Sequence, residues 1–108
     1  MGRSSARLRQ ATKADVAEVV AWYRHEAPEQ VRRFREDLRQ ALETIEAHPY
    51  LCPERLGPVQ LHAMRVFPYG IWYVVDEKTE TVQVLAILHF KRDPATVAQR
   101  LGDGVPGP

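Results

Sequence analysis

The fold is decided by residues 64–94, MRVFPYGIWYVVDEKTETVQVLAILHFKRDP, which hold the densest apolar signal in the chain. Residues 71–75 are β-branched or aromatic throughout, as expected of a strand packed in a pleated sheet. A polar break of hairpin-loop length follows at 76–80, and a longer strand is predicted at 81–89. The first half of that strand alternates and its second half is apolar, which predicts a strand that starts at a sheet edge and ends buried or central.

A third strand is predicted at 62–67, before the turn signal Pro68-Tyr69-Gly70. Short turns join the three strands, so they form an antiparallel meander. Strict alternation along the last strand then places five residues on one face: Thr81, Gln83, Leu85, Ile87 and His89.

Two amphipathic helices precede the meander. Residues 6–11 alternate weakly and predict an edge strand whose arginines face water. Thr12 followed by Asp15 has the spacing of a helix N-terminal cap, and the first helix runs from there to about residue 26. Pro28 suits the first turn of a second helix that ends near residue 47. Both helices have an apolar stripe that a sheet must cover, so the class is α+β: strand, helix, helix, strand, strand, strand, with a helical hairpin packed on a small, mainly antiparallel sheet.

The remaining segments predict connections and ends. Residues 48–58 contain three prolines and form an irregular linker from the helices to the sheet. Asp93 is a plausible N-cap for a short helix over 95–101, with Pro94 at its first position. Residues 1–5 are expected to fray and 102–108 to be disordered. The 108 residues form one domain with its core at about 6–101.

Composition excludes several classes of protein. Fifteen basic and 14 acidic residues give a formal charge of +1, too balanced for a protein that binds nucleic acid without specificity. The lone Cys52 allows no intrachain disulfide, and no apolar run is long enough for a membrane span, so a cytoplasmic protein is expected. The four histidines show no metal-ligand spacing and no glycine-rich phosphate loop is present, so no cofactor is predicted.

Two motifs in this order resemble the RelE/ParE superfamily, the toxins of type II toxin–antitoxin systems. Residues 64–73 are similar to the family's arginine, Phe-Pro-Tyr and aliphatic-x-Tyr pattern. Residues 89–94, His-Phe-Lys-Arg-Asp-Pro, are similar to its His-x-x-Arg-Asp-Pro ending. The resemblance covers roughly residues 8–100 and implies a toxin that arrests growth.

The resemblance leaves three functions open. In the RNA-cleaving branch, ribosome-dependent mRNA cleavage would use Arg65, His89 and Arg92, with Lys91 a further candidate. In the ParE-like branch the toxin inhibits DNA gyrase through protein binding. The low charge, and the single Arg55 where RNA-cleaving members cluster lysines, favour the ParE-like branch. The third possibility is a non-toxic relic that only binds an antitoxin.

Each candidate residue also has a structural interpretation. Arg65 would pair with a helix acid and His89 would bond to the backbone. Arg92 would pair with Asp93. Trp72 would lie on the opposite sheet face, exposed to a partner, and Cys52, with only His48 near it, would be inert.

The resemblance also implies partners. It implies a cognate antitoxin that lays an extended or helical segment over the helices and a sheet edge. The target would be gyrase, or the ribosome and mRNA. Operator DNA would be contacted only through the antitoxin.

Overall fold

The structure, a computed structural model, describes residues 5–102, which form three helices and a five-stranded sheet. The strands are β1 Ser5–Leu8, β2 Glu54–Leu56, β3 Val59–Ala63, β4 Tyr69–Asp76 and β5 Thr81–His89. The helices are α1 Gln10–Glu26, α2 Val31–Ala47 and α3 Pro94–Gly102, with a 3₁₀ turn Pro28–Gln30 before α2. The predicted fraying at residues 1–4 and the predicted disorder at residues 103–108 lie outside the described residues. Ser5 and Gly102 are described and are ordered instead, because Ser5 belongs to β1 and Gly102 ends α3.

The strand order is β1-β5-β4-β3-β2. β1 runs parallel to β5, and every other neighbouring pair is antiparallel. This arrangement confirms the predicted α+β class with a mainly antiparallel sheet, and it adds one strand, β2. Within residues 5–102, no helix has the length and apolar character that crossing a bilayer requires.

The helical hairpin α1–α2 covers one face of the sheet. The largest apolar cluster lies there and includes Phe34 and Ile45 from α2 and Ile71, Tyr73 and Val84 from the sheet. The opposite face carries a smaller cluster that α3 closes with buried Leu101 and half-buried Val97; its other members are Val59, Trp72, Val74, Leu85, Ala86 and Leu88.

β5 lies inside the sheet from its first residue, so the prediction that it starts at an edge is wrong. β1 pairs with its first half, from Ser5 opposite Thr81 to Leu8 opposite Val84. β1 itself is the edge strand, as predicted. Beyond Val84 the free edge of β5 still carries backbone polar groups that need partners.

Side chains at the start of α1 supply those partners. Thr12 Oγ1 donates to Val84 O at 2.7 Å, and Asp15 Oδ2 accepts from Ile87 N at 3.1 Å. Arg9 Nε donates to Leu85 O at 3.1 Å. The predicted Thr12–Asp15 cap is therefore wrong: α1 begins earlier, at Gln10, and both side chains complete the sheet instead. Arg9 is likewise engaged rather than facing water.

A β-bulge changes which side chains of β5 share a face. Trp72 pairs with Ala86 but Tyr73 pairs with Val84, so Leu85 is an extra residue. Val84 and Ile87 consequently face the helices, while Leu85, Ala86 and Leu88 face α3. The predicted common face of Leu85 and Ile87 is wrong for this reason.

The strand predicted at 62–67 is displaced to β3, Val59–Ala63, and pairs there with β4. β2 lies within the predicted linker and reaches β3 through Gly57, whose φ of +54° favours glycine. Residues 64–68 instead form a loop whose Val66 and Phe67 N–H groups donate to the buried Asp37 carboxylate at 2.9 and 2.8 Å. This anchor draws the loop onto α2 and out of the strand ladder.

Candidate functional site

Two grooves meet at the end of β5. The α1 groove, about 320 Å³, lies between α1 and the sheet and is lined by Asp15, Glu18, Val19, Trp22, Tyr23, Tyr69 and Ile87. The α3 groove, about 470 Å³, lies on the other sheet face and is lined by Arg55, Leu56, Trp72, Phe90, Pro94, Val97 and Ala98. Leu88, His89 and Arg92 line both grooves.

His89 ends β5 with its ring held in place. Its Nδ1 accepts a hydrogen bond from Lys91 N at 2.9 Å. The ring packs edge-on against Tyr69 with centroids 5.2 Å apart. Because Nδ1 accepts, the ring proton of neutral His89 lies on Nε2, which is the nitrogen left to meet a ligand. The backbone bond matches the structural interpretation of this histidine.

Arg92 lies three residues after His89, and its side chain reaches back to α1. Its Nη2 lies 3.8 Å from Glu18 Oε1, a loose contact between two exposed side chains. The predicted ion pair with Asp93 is not made within residues 5–102. Asp93 instead caps α3 by accepting from Thr96 N and Thr96 Oγ1, both at 2.9 Å. These bonds lower the pKa of Asp93 and confirm it as the N-cap.

Arg65 lies in the loop that joins β3 to β4. It is exposed in the loop 64–68 and lines neither groove. Among the described residues it makes no hydrogen bond or ion pair, so the predicted pairing with a helix acid is not made there. Of the three candidate catalytic residues, His89 and Arg92 line the same two grooves and Arg65 lines neither.

The α3 groove has an apolar floor and exposed apolar side chains. Leu56 and Phe90 remain 43% and 52% exposed, although each lines the groove. Trp72 also lines this groove and is half-buried on the face away from the hairpin. The predicted face of Trp72 is therefore confirmed, and its exposure is less than expected.

The α1 groove is lined by aromatic side chains and by the carboxylate of Asp15, which is bound to Arg100. Trp22 is 57% exposed and meets Tyr23 edge-on with centroids 4.9 Å apart. Burial, and then the Tyr23 hydroxyl, raise the pKa of Tyr69, so its phenol stays protonated. Arg100 donates to both oxygens of Asp15, at 2.6 and 2.8 Å, and this pairing raises the pKa of Arg100.

A cysteine–histidine contact lies elsewhere, and sequence reasoning missed it. Cys52 Sγ is 3.2 Å from His62 Nδ1, so the premise that only His48 lies near Cys52 is wrong. The sequence gives no local signal of this contact. The pairing of β2 with β3 shows that His62 lies on a strand beside the proline-rich segment that contains Cys52. Burial lowers the pKa of His62, so a neutral imidazole faces the thiol and supplies no cation to stabilise a thiolate. Among residues 5–102, no three His, Cys, Asp or Glu side chains are grouped to hold a metal ion.

The chain matches a protein-family model. The family model described as the ParE toxin of type II toxin–antitoxin system, parDE, matches residues 6–94, which is most of the chain. A comparison with curated proteins gives no match.

Solved structures share the fold at low sequence identity. The chromosomal ParDE TA system from P. aeruginosa aligns with a TM-score of 0.69 and 15% identity, over 81% of this chain and 96% of that chain. The toxin–antitoxin complex RelBE2 from Mycobacterium tuberculosis aligns with a TM-score of 0.58 and 18% identity, over 85% and 97%. The archaeal RelE–RelB complex from Pyrococcus horikoshii OT3 gives 0.50 and 17%, over 84% and 99%.

Proposed function

This chain belongs to the ParE toxin family of type II toxin–antitoxin systems, and we propose that it arrests growth by binding and inhibiting DNA gyrase. The observation that carries the proposal is the character of the surface at the end of β5. That surface is a pair of grooves lined with exposed apolar side chains, with one arginine, Arg92, common to both. Such a surface suits protein recognition, where aromatic side chains and arginine supply most of the binding energy.

The position of Arg65 outside both grooves also supports inhibition by binding. Cleavage by 2′-hydroxyl attack needs a general base and cations converging on one phosphate. His89 and Arg92 line both grooves, whereas Arg65 lines neither. His89 already uses Nδ1 to accept the Lys91 N–H, which leaves the neutral ring without a free basic nitrogen.

Ribosome-dependent mRNA cleavage is the second candidate, and one observation favours it. His89 and Arg92 share the α3 groove with Trp72 and Phe90, and aromatic rings beside arginine are the residue types that stack on unpaired bases. A relic that binds only its antitoxin is the third candidate, and it would leave growth unaffected.

An antitoxin is the expected cellular partner. The solved relatives above are toxin–antitoxin systems or complexes by description. On this proposal the antitoxin covers the exposed apolar side chains until it is lost, and operator DNA is contacted only through it. The protein would act in the cytoplasm, where gyrase works.

The test is plasmid supercoiling by purified gyrase in the presence of the purified chain. We expect supercoiling to fall as the chain reaches micromolar excess, while relaxation by a type I topoisomerase under the same conditions is unchanged. Undiminished supercoiling at that excess would overturn the proposal.

A further inference from the structure

We propose that a second surface, the α2 patch, docks an acidic surface on the protein target of this toxin. The patch consists of Arg32 and Arg33 on α2 and of Arg65 and Val66 in the loop 64–68. This inference rests on the proposed function in one respect, that the chain acts by binding a protein. It adds a surface that recognises the target and the charge which that surface selects.

The patch lies at an open cavity of about 340 Å³ between α2 and the loop 64–68. None of the residues that line this cavity lines the α1 groove or the α3 groove. Val66 is its apolar contact and is 59% exposed, and Arg65 precedes it in the loop with an exposed side chain. The residues that line the cavity are Arg32, Arg33, Glu36, Asp37, Gln40 and Val66.

The two carboxylates that line the cavity already have partners. Glu36 accepts hydrogen bonds from Arg39 Nε at 3.1 Å and from Gln40 Nε2 at 3.3 Å. Asp37 is buried and accepts two backbone N–H groups of the loop. Neither carboxylate is therefore available to pair with a further arginine of the patch.

The arginines of the patch are left without partners of their own. Arg32, Arg33 and Arg65 are exposed and make no hydrogen bond or ion pair within residues 5–102. Because Arg39 balances Glu36, Asp37 is the one lining carboxylate left against these three cations. Guanidinium groups bind carboxylates through two parallel hydrogen bonds, so the patch is complementary to an acidic surface.

The loop that presents Val66 is fixed before a partner arrives. The N–H groups of Val66 and Phe67 donate to Asp37 Oδ2 at 2.9 and 2.8 Å. The Phe67 ring is buried and meets Phe34 edge-on with centroids 5.6 Å apart. A loop held through both its backbone and a side chain has little conformational freedom to lose on binding, which favours affinity.

A protein partner fits the patch better than a nucleic acid does. An exposed apolar side chain among arginines has the composition of a protein interface. Among residues 5–102, no aromatic side chain lines the cavity, so unpaired bases have no ring on which to stack. The formal charge of +1 is also low for a chain that follows a phosphate backbone.

The test measures binding of the full chain to purified gyrase by biolayer interferometry. The double variant Arg32→Glu/Arg33→Glu should weaken binding at least about tenfold, because it sets like charges against an acidic partner. The loss should shrink in about 0.5 M salt, which screens exposed charges. Val66→Ala should also weaken binding. Arg65→Ala removes one exposed cation and should cost only about threefold, which leaves growth arrest in place at full induction.

Matched controls separate the patch from charge and apolar area in general. Arg24→Glu/Arg35→Glu reverses two exposed arginines that line neither this cavity nor either groove, so binding should be unchanged. Leu51→Ala should likewise have no effect, because Leu51 is 68% exposed and lines none of the three. Circular dichroism of each variant checks that it is folded.

Growth arrest distinguishes failure of this inference from failure of the proposed function. Where the wild type binds gyrase, an Arg32→Glu/Arg33→Glu variant that binds as tightly as the matched control overturns the inference. Where the wild type arrests growth without binding gyrase, only the proposed target is wrong. The double variant should then need at least about tenfold more protein than its control for half-maximal arrest, and equal requirements would overturn the inference.

Two further outcomes would also overturn the inference. One is a wild-type chain that neither binds gyrase nor arrests growth, because the patch would then have no target to dock. The other is tight binding of the chain alone to a fluorescein-labelled DNA duplex, lost in Arg32→Glu/Arg33→Glu, which would assign the patch to phosphates instead of a protein.

Discussion

The carboxylate of Asp15 in α1 binds the guanidinium of Arg100 in α3 through two hydrogen bonds, at 2.6 and 2.8 Å. The same carboxylate accepts the Ile87 N–H of β5 at 3.1 Å. One side chain thus connects α1 and α3 to β5, the strand that ends at His89. Asp15 also lines the α1 groove, so the shape of that groove depends on this contact.

Asp15→Ala should therefore loosen α3 as well as destabilise the fold. The substitution leaves a partly buried guanidinium and a buried N–H without their acceptor, so we expect the free energy of unfolding to fall by about 2–4 kcal/mol. Urea denaturation measures the loss, and hydrogen exchange should speed up in α3. Glu18→Ala, which removes an exposed carboxylate on the same helix, should change stability by less than about 1 kcal/mol. Equal effects of the two substitutions would contradict this role of Asp15.

The buried Asp37 should matter for the loop 64–68. Its Oδ2 accepts two backbone N–H groups, from Val66 and Phe67. Asp37→Ala leaves both donors without a partner and should cost about 2–4 kcal/mol in unfolding free energy. Asp37→Asn keeps one acceptor oxygen and should recover part of the loss. Asn no better than Ala would show that the acceptor is not what stabilises the loop.

Stability should decrease in mild acid because of His62. Burial lowers its pKa in the folded state below the ordinary 6.5, so the unfolded chain binds the proton more readily. The unfolded state then holds more protons in the window from 6.5 down to the lowered pKa, and stability is lost as pH falls through that window. Above about pH 7 the effect is absent. Urea midpoints from pH 8 to pH 5 should fall less for His62→Gln than for the wild type. Parallel curves would exclude His62 as the source.

Two turn positions should respond in opposite directions. Glu80 has a φ of +54°, which is strained for a residue with a side chain, and Gly57 has the same φ. Asn tolerates this region, so Glu80→Asn should raise the free energy of unfolding by about 0.5–1 kcal/mol. Gly57→Ala should lower it by about 1 kcal/mol, and the cost is conformational because a Cβ there meets nothing within 4 Å. Thermal denaturation measures both changes; a loss of stability in Glu80→Asn would contradict the strain argument.

Local sequence patterns predicted the elements whose partners are near in the chain. The bounds of β5 and the ends of α1 and α2 follow from apolar periodicity and a polar break. Thr12 and Asp15 were misassigned because their partners, Val84 and Ile87, are 72 residues away. A capping pattern gives no sign of a distant strand edge.

The candidate site was predictable in part for the same reason. His89 and Arg92 are three residues apart, so their neighbourhood follows from the sequence alone. Arg65 was placed on a strand because residues 62–67 fit one, but Asp37 draws that segment into a loop. The bulge at Leu85, which puts Leu85 and Ile87 on opposite faces, depends on pairing with β4 and has no local signal.

The central claim, inhibition by binding rather than by RNA cleavage, is tested most directly by one set of induced cultures. Wild type, Arg65→Ala and His89→Ala are expressed in parallel, and growth, mRNA integrity by primer extension and plasmid topology are measured in the same cultures. We predict that growth arrest persists in both variants, with intact transcripts and loss of negative supercoiling. Cut mRNA in wild-type cells, together with recovery of growth in either variant, would contradict the claim and assign a nuclease site to this sheet.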